Sequence, residues 1–308
     1  MGTIDPIQAE RAGNLWTSFS RKFAPVAKAT RLSTPELTFD QVGGLASPKD
    51  ELLTFACAAT SPDVYGRWGT FPPSGLLLIG GRGTGKKLLA EALASQTETG
   101  FLLVQVPRLV METLRHGGKV GELVEEWSQT LEELPPTTVF FDELEFYQAH
   151  ELGSQRDDLP VGPVMDFLLD LVDRTVAAQD ILTLGSTSYP DTLRPAFLSH
   201  QRFERVVEVT PIFPGDIVAA LEIHAASASQ RAGRPLFEDV DWNEAVRPYG
   251  EHTAAEWTRI LHGVLRRKAR CEAAGEPTAP ITTADLLEEA SRVQGTKRRL
   301  SYGQGNYI

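Results

Sequence analysis

Cysteine is scarce in this chain of 308 residues: only Cys57 and Cys271 are present. Their spacing matches no disulfide framework and no metal-ligand pattern, which excludes a stapled extracellular scaffold and a zinc module and points to a reducing compartment. Long apolar runs are missing too, since none approaches the ~20 residues needed to cross a bilayer, so no membrane span is expected. Positive charge is in deficit, with 30 Lys and Arg against 41 Asp and Glu and a net charge of −11. A broad basic surface is thereby excluded and no nucleic-acid partner is expected, although a local basic patch remains open. The first residues include Asp5 and Glu10 and lack the apolar core of a secretory signal, so a cytoplasmic location is expected. No internal repeat is visible. What remains is an ordinary globular composition, 42% hydrophobic, with length for about two domains.

One stretch organises the rest. Leu76 to Ile79 is a short apolar run that reads as a buried strand. A glycine-rich turn follows, then Leu88, Leu89, Ala92 and Leu93 at helical spacing. Strand, glycine loop and helix form the context of a phosphate-binding loop. Gly80, Gly83 and Gly85 let successive backbone N–H groups face an anion, Lys86 adds a point charge for the β- and γ-phosphates, and the helix N-terminus faces the same way. The pattern GxxxxGK fits Gly80, Gly85 and Lys86, but the following Ser or Thr, whose hydroxyl holds Mg²⁺, is here Lys87. The candidate contacts in this loop are Gly80, Gly81, Arg82, Gly83, Thr84, Gly85, Lys86, Lys87 and Leu88.

Around the loop, residues 38–210 alternate between strands and helices. Phe101 to Val106, Thr137 to Phe141, Ile181 to Gly185 and Val206 to Val209 read as short buried strands, the signature of a parallel sheet covered on both faces. Residues 153–163, polar with Pro160 and Gly162, read as an exposed loop. Residues 1–37 stand apart: Leu15, Phe19, Phe23 and Val26 line one helical face, limited by Pro25. That face either docks a partner or a membrane surface, or packs on its own domain. After Pro211 and Pro214 the pattern is helical through residue 300, with Thr283 as an N-cap. Residues 301–308 form a tail.

A second motif closes the site. Thr138 to Phe141 is a buried strand that ends in Asp142 and Glu143. In a nucleotide site the first acid orients the water shell of Mg²⁺ and the second activates the attacking water. Standing alone, the pair could equally be a solvated strand end; the upstream loop favours the chemical reading.

Together these stretches resemble the AAA+ ATPases, in particular the AAA clade of hexameric unfoldases and remodellers, over residues 38 to about 295. The resemblance implies a five-stranded αβα core with a helical lid, and ATP or ADP as ligand with Mg²⁺ held weakly by Asp142. It carries an adenine contact to Val42 and Gly43, the catalytic base to Glu143, the sensor position to Ser188 and an arginine finger to Arg202. It further implies a ring of identical chains, or one mixed with an active paralogue, acting on a protein substrate. The departures fall at functional positions. Lys87 replaces the Mg²⁺ ligand, Ser188 an asparagine, Ser199 the first arginine finger and Ala254 a glycine of the lid. The pore segment from Leu114 to Gly117 has no aromatic residue. These changes imply a subunit that binds nucleotide and hydrolyses it weakly or not at all; the alternative is a working ATPase with an unusual site. The final Tyr307 and Ile308 match the tail by which proteasome-activating ring ATPases dock on a peptidase, although Asn306 does not fit that pattern.

Overall fold

The computed structural model describes residues 5–116, 120–145 and 161–303. The described residues fall into two compact units, drawn from Met1–Phe39, Ala46–Gly81 and Lys86–Val209 on one side, and from Asp40–Leu45, Arg82–Gly85 and Thr210–Ile308 on the other.

The first unit is an α/β structure. It begins with α1 (Pro6–Lys22), α2 (Ala24–Ala29) and β1 (Thr30–Ser33), followed by α3 (Ala46–Thr60), α4 (Asp63–Arg67) and β2 (Leu76–Ile79). Next come α5 (Lys86–Gln96), β3 (Gly100–Gln105), α6 (Val106–His116), α7 (Val120–Glu133) and β4 (Thr137–Asp142). It closes with α8 (Val161–Ala177), β5 (Ile181–Thr187) and β6 (Arg205–Glu208). The strands form one sheet in the order β1-β3-β4-β5-β2-β6. Every pairing is parallel except that of β1, which runs antiparallel on β3 with Thr30 opposite Val104 and Ser33 opposite Phe101. Strands β2 to β5 are buried on both faces, as expected of parallel strands covered by helices, whereas the edge strand β6 buries only Val207.

The sheet therefore has six strands, one more than expected. The extra strand comes from the segment that the sequence sets apart. Residues 30–33 read Thr-Arg-Leu-Ser, too short and too polar to announce a strand, and they become one by pairing with the exposed edge of β3. Upstream, Ala12, Trp16, Phe19, Phe23 and Val26 join the same apolar core as Trp127, Val139 and Phe141. Trp16 stacks edge-on against Trp127 at 5.3 Å and against Phe19 at 5.2 Å. The indole N–H groups find partners: Trp16 Nε1 donates to Thr30 Oγ1 at 3.1 Å, and Trp127 Nε1 to Thr175 Oγ1 at 3.0 Å. Helix α1 stops at Lys22, and Pro25 sits in the first turn of α2, where its missing N–H costs nothing. Of the loop expected at residues 153–163, the part from Val161 onward opens α8, and 153–160 lie outside the described residues.

The second unit is helical. Its elements are α9 (Gly215–Ala232), α10 (Trp242–Val246), α11 (Ala254–Ala273) and α12 (Thr283–Gly303). Ile217 and Leu221 from α9 meet Trp257, Ile260, Leu261 and Val264 from α11 and Leu286 and Ala290 from α12. Thr253 caps α11 through a reciprocal capping box with Glu256. The Thr283 hydroxyl accepts from the Asp241 N–H at 2.8 Å and thus ties α12 to the start of α10.

Candidate nucleotide site

The strand order sets what can meet. β5 lies between β4 and β2, so the carboxyl ends of all three are neighbours. Ligands of parallel sheets bind beyond such carboxyl ends. Asp142 ends β4, Ser186 and Thr187 end β5, and the glycine loop leaves β2 with the Gly80 N–H donating to the Thr187 carbonyl at 3.2 Å.

Lys86 opens α5 and is buried, 8% exposed. Its ammonium donates to the Gly80 carbonyl at 2.5 Å, the Gly81 carbonyl at 2.9 Å and the Ser188 hydroxyl at 3.1 Å. A lysine this buried needs hydrogen-bond acceptors around it, and these three are among them. Ser188 is tied in turn, its backbone N–H donating to Glu145 Oε1 at 2.9 Å.

The acid pair is locked from the same strand. The fully buried Ser186 donates through its hydroxyl to Asp142 Oδ1 at 2.7 Å and accepts the Glu143 N–H at 3.1 Å. The Leu144 N–H donates to the Ser186 carbonyl at 2.9 Å. These bonds hold Glu143 at φ +61, a left-handed conformation that costs a non-glycine residue roughly 1 kcal/mol or more. The chain turns sharply beyond β4 at the carboxylate assigned to water activation.

Other expected contacts fall differently. Lys87 and Leu88 are exposed. Lys87 lines a hollow of about 210 Å³ together with Arg31, Ser33, Glu36 and Glu91. Residues 82–85 belong to the second unit, as do Val42 and Gly43. There Gly83, at φ +78, packs on the start of α11: a Cβ would lie 3.0 Å from Ala255 Cβ and 3.1 Å from Thr253 Oγ1. Ala254, expected in place of a lid glycine, is the first residue of that helix. Gly43 is pinned harder still, because a Cβ would lie 2.2 Å from the backbone nitrogen of Ala220. Arg82 is exposed and Thr84 buried. Arg202 is engaged within its own unit. It forks onto Asp173 with Nε and Nη2 at 2.5 and 2.7 Å, and donates through Nη1 to the Ala196 carbonyl at 2.7 Å.

The residues fit a nucleotide phosphate better than they fit Mg²⁺. A buried lysine on replaceable acceptors, beside a loop with glycine at its turn, suits an anion. For Mg²⁺ the set offers Asp142 but no hydroxyl after Lys86, and an ammonium ligates no metal. Ser186 and Glu145 were not legible as site residues. A small polar residue inside a buried strand and a second acid two positions after Glu143 were the signals, but only the fold aims them at each other. Of the pore segment, Leu114, Arg115 and His116 form the end of α6 and Gly117 lies outside the described residues, as do Tyr307 and Ile308.

Residues 76–211 match the family described as ATPase family associated with various cellular activities (AAA). A proteasome-activating nucleotidase of Archaeoglobus fulgidus is 32% identical over 267 residues, covering 84% of this chain and 62% of that protein. Protein CdcH of Halobacterium salinarum is 27% identical over 273 residues, covering 84% of this chain and 35% of its own length. A cell division cycle protein 48 homolog of Archaeoglobus fulgidus is 28% identical over 269 residues, 87% of this chain and 35% of that protein. The chain thus spans under two thirds of the length of each of these relatives.

Proposed function

Because the chain belongs to the AAA family of ATPases, we propose that it binds ATP or ADP, hydrolyses it weakly or not at all, and serves as a subunit of an oligomer that acts on proteins. The carrying observation is the pair of adjacent lysines. Lys86 is buried on the glycine-loop carbonyls and Ser188, whereas Lys87, where the metal-binding hydroxyl belongs, is exposed in a hollow with Glu36 and Glu91.

Bound ATP would supply the γ-phosphoryl bond to be broken, and Mg²⁺ the charge that neutralises its phosphates. Lys86 would exchange the carbonyls for phosphate oxygens, retaining its charge-assisted bonds. Asp142 would orient the metal's water, and Glu143 would accept the proton of the attacking water. Ser188 offers a short hydroxyl where an amide would reach further. Arg202 acts on a neighbour only after leaving Asp173, so its forked ion pair sets a cost on assembly. The name of one relative, a proteasome-activating nucleotidase, supports a protein client and a peptidase partner; a homo-oligomer and a ring shared with an active paralogue are the two forms of assembly this reading allows.

The test is gain of function. Removal of one positioned polar group from a transition state costs about 10²–10³ in rate. Lys87→Thr combined with Ser188→Asn is therefore expected to raise ATP turnover above the wild type in the assembled protein, and Glu143→Gln to abolish the gain. A second reading, a fully working ATPase, rests on the intact Lys86, Asp142 and Glu143. It wins if the wild type turns over at a rate that Lys87→Thr leaves unchanged.

A further inference from the structure

Glu145 is a buried carboxylate that the reading above does not use. It is 5% exposed; Oε1 accepts the Ser188 N–H at 2.9 Å, and Oε2 is buried with no hydrogen-bond partner among the described residues. A carboxylate kept out of water with one of its oxygens unsatisfied opposes folding. A leucine-sized apolar residue would fill the same space at no such cost. Its position is therefore informative.

Glu145 lies just beyond the tight turn at Glu143, and the turn aims it back at the end of β5. Its one bond fixes the backbone of Ser188, whose hydroxyl accepts from the Lys86 ammonium at 3.1 Å. Two successive contacts thus run from the turn beyond β4 to the lysine of the glycine loop. Ser188 has a single freely rotating oxygen, so the place where that oxygen presents itself depends on how its backbone is held. Glu145 holds this stretch of backbone at the Ser188 N–H, and the Thr187 hydroxyl holds it at the Tyr189 N–H at 3.1 Å.

We propose that Glu145 is a positioning residue of the nucleotide site, which holds Ser188 so that its hydroxyl presents Lys86 to the phosphates. The proposal rests on the nucleotide-binding reading and deepens it. A glutamine at 145 keeps the accepting oxygen, whereas an alanine removes it.

The experiment has two arms. In the first, ADP titrations by calorimetry on the full chain compare Glu145→Ala, Glu145→Gln, Ser188→Ala and the Glu145→Ala/Ser188→Ala pair. Glu145→Ala and Ser188→Ala are each expected to weaken binding by about three- to tenfold, the pair by no more than either alone, and Glu145→Gln by less than about twofold, as residues that act in one chain of contacts are non-additive. Additive losses, or an Ala variant that melts earlier but binds ADP as the wild type does, overturn the proposal. The second arm needs no nucleotide: the ¹⁵N–¹H resonance of the Ser188 amide in the empty protein. It should shift upfield and exchange faster in Glu145→Ala but stay in place in Glu145→Gln; an unchanged resonance in Glu145→Ala overturns the proposal. If the wild type binds no ADP, the nucleotide reading fails by itself, and the amide arm decides whether Glu145 holds Ser188.

Discussion

The amino-terminal layer and the carboxyl ends of β4 and β5 belong to one unit and are built on opposite principles. In the layer of α1, α2 and β1 and the α7 face it packs on, large apolar groups are buried and the indole N–H groups are matched: Trp16 on Thr30, Trp127 on Thr175. At the strand ends the hydroxyls of Ser186 and Thr187 and the carboxyl of Glu145 are buried, Glu143 sits at φ +61, and Glu145 Oε2 has no hydrogen-bond partner among the described residues. The first arrangement is what stability requires. The second tolerates strain and an unsatisfied buried oxygen, as sites that bind and react do. The difference separates the part of the chain that packs for stability from the part proposed as the nucleotide site.

Trp16→Ala is the strongest way to break that contrast. Trp16 is 5% exposed and meets both Phe19 and Trp127. Its truncation is expected to cost about 3–5 kcal/mol, read from urea unfolding, while ADP affinity per folded molecule stays at the wild-type value. An affinity loss as large as the stability loss would join the two regions. Ser186→Ala works from the other side. It leaves the Glu143 N–H and Asp142 without their shared partner, at about 1–3 kcal/mol. Here nucleotide affinity should fall as well, and an unaltered affinity would make the Asp142–Ser186–Glu143 lock purely structural.

How much of this was legible in the sequence differs between the same two regions. Leu76–Ile79 was read to the residue, because an apolar run bounded by glycine has one interpretation. The other parallel strands were placed within two residues, β5 running on to Thr187 where polar residues hid its end. β1 was not read at all: four residues with mixed polarity acquire strand character only from the edge of β3. Trp16 was missed on the helix face because Leu15, its neighbour, fits the same spacing. The polar lock was invisible for another reason. Ser186 and Glu145 are ordinary residues in the sequence, and their meaning lies in the order of strands, which puts β5 between β4 and β2.

Two smaller effects belong to the helical unit, outside both regions, and sharpen the contrast as controls. Thr253→Ala removes the capping box of α11 and is expected to cost about 1 kcal/mol of that unit's stability by thermal melting. Glu256 and Asp285 supply the pH dependence. Burial pushes the Glu256 carboxyl up, but the hydrogen bonds from Lys297 and the Thr253 N–H, with the charges of Lys297 and His252, outweigh it and hold it below its ordinary value of 4.5. Asp285 is likewise raised by burial but held below 3.8 by the Thr282 N–H, Lys268 and Arg267. A carboxyl depressed in the folded state contributes stability above its unfolded pKa and loses it as pH falls through the folded value. The helical unit should therefore keep this stability at neutral pH and lose it progressively below 4.5. A melting temperature that stays flat from neutrality to below pH 3.8 would contradict that assignment.

The central claim is that the lysine pair gives this chain a phosphate site that depends little on metal. The direct test is calorimetric titration of the full chain with ADP, once with Mg²⁺ and once with a chelator. The account predicts saturable binding that changes by less than about threefold on removal of the metal and is lost in Lys86→Ala. Absence of binding, or a fall of about a hundredfold or more with the chelator, would contradict it.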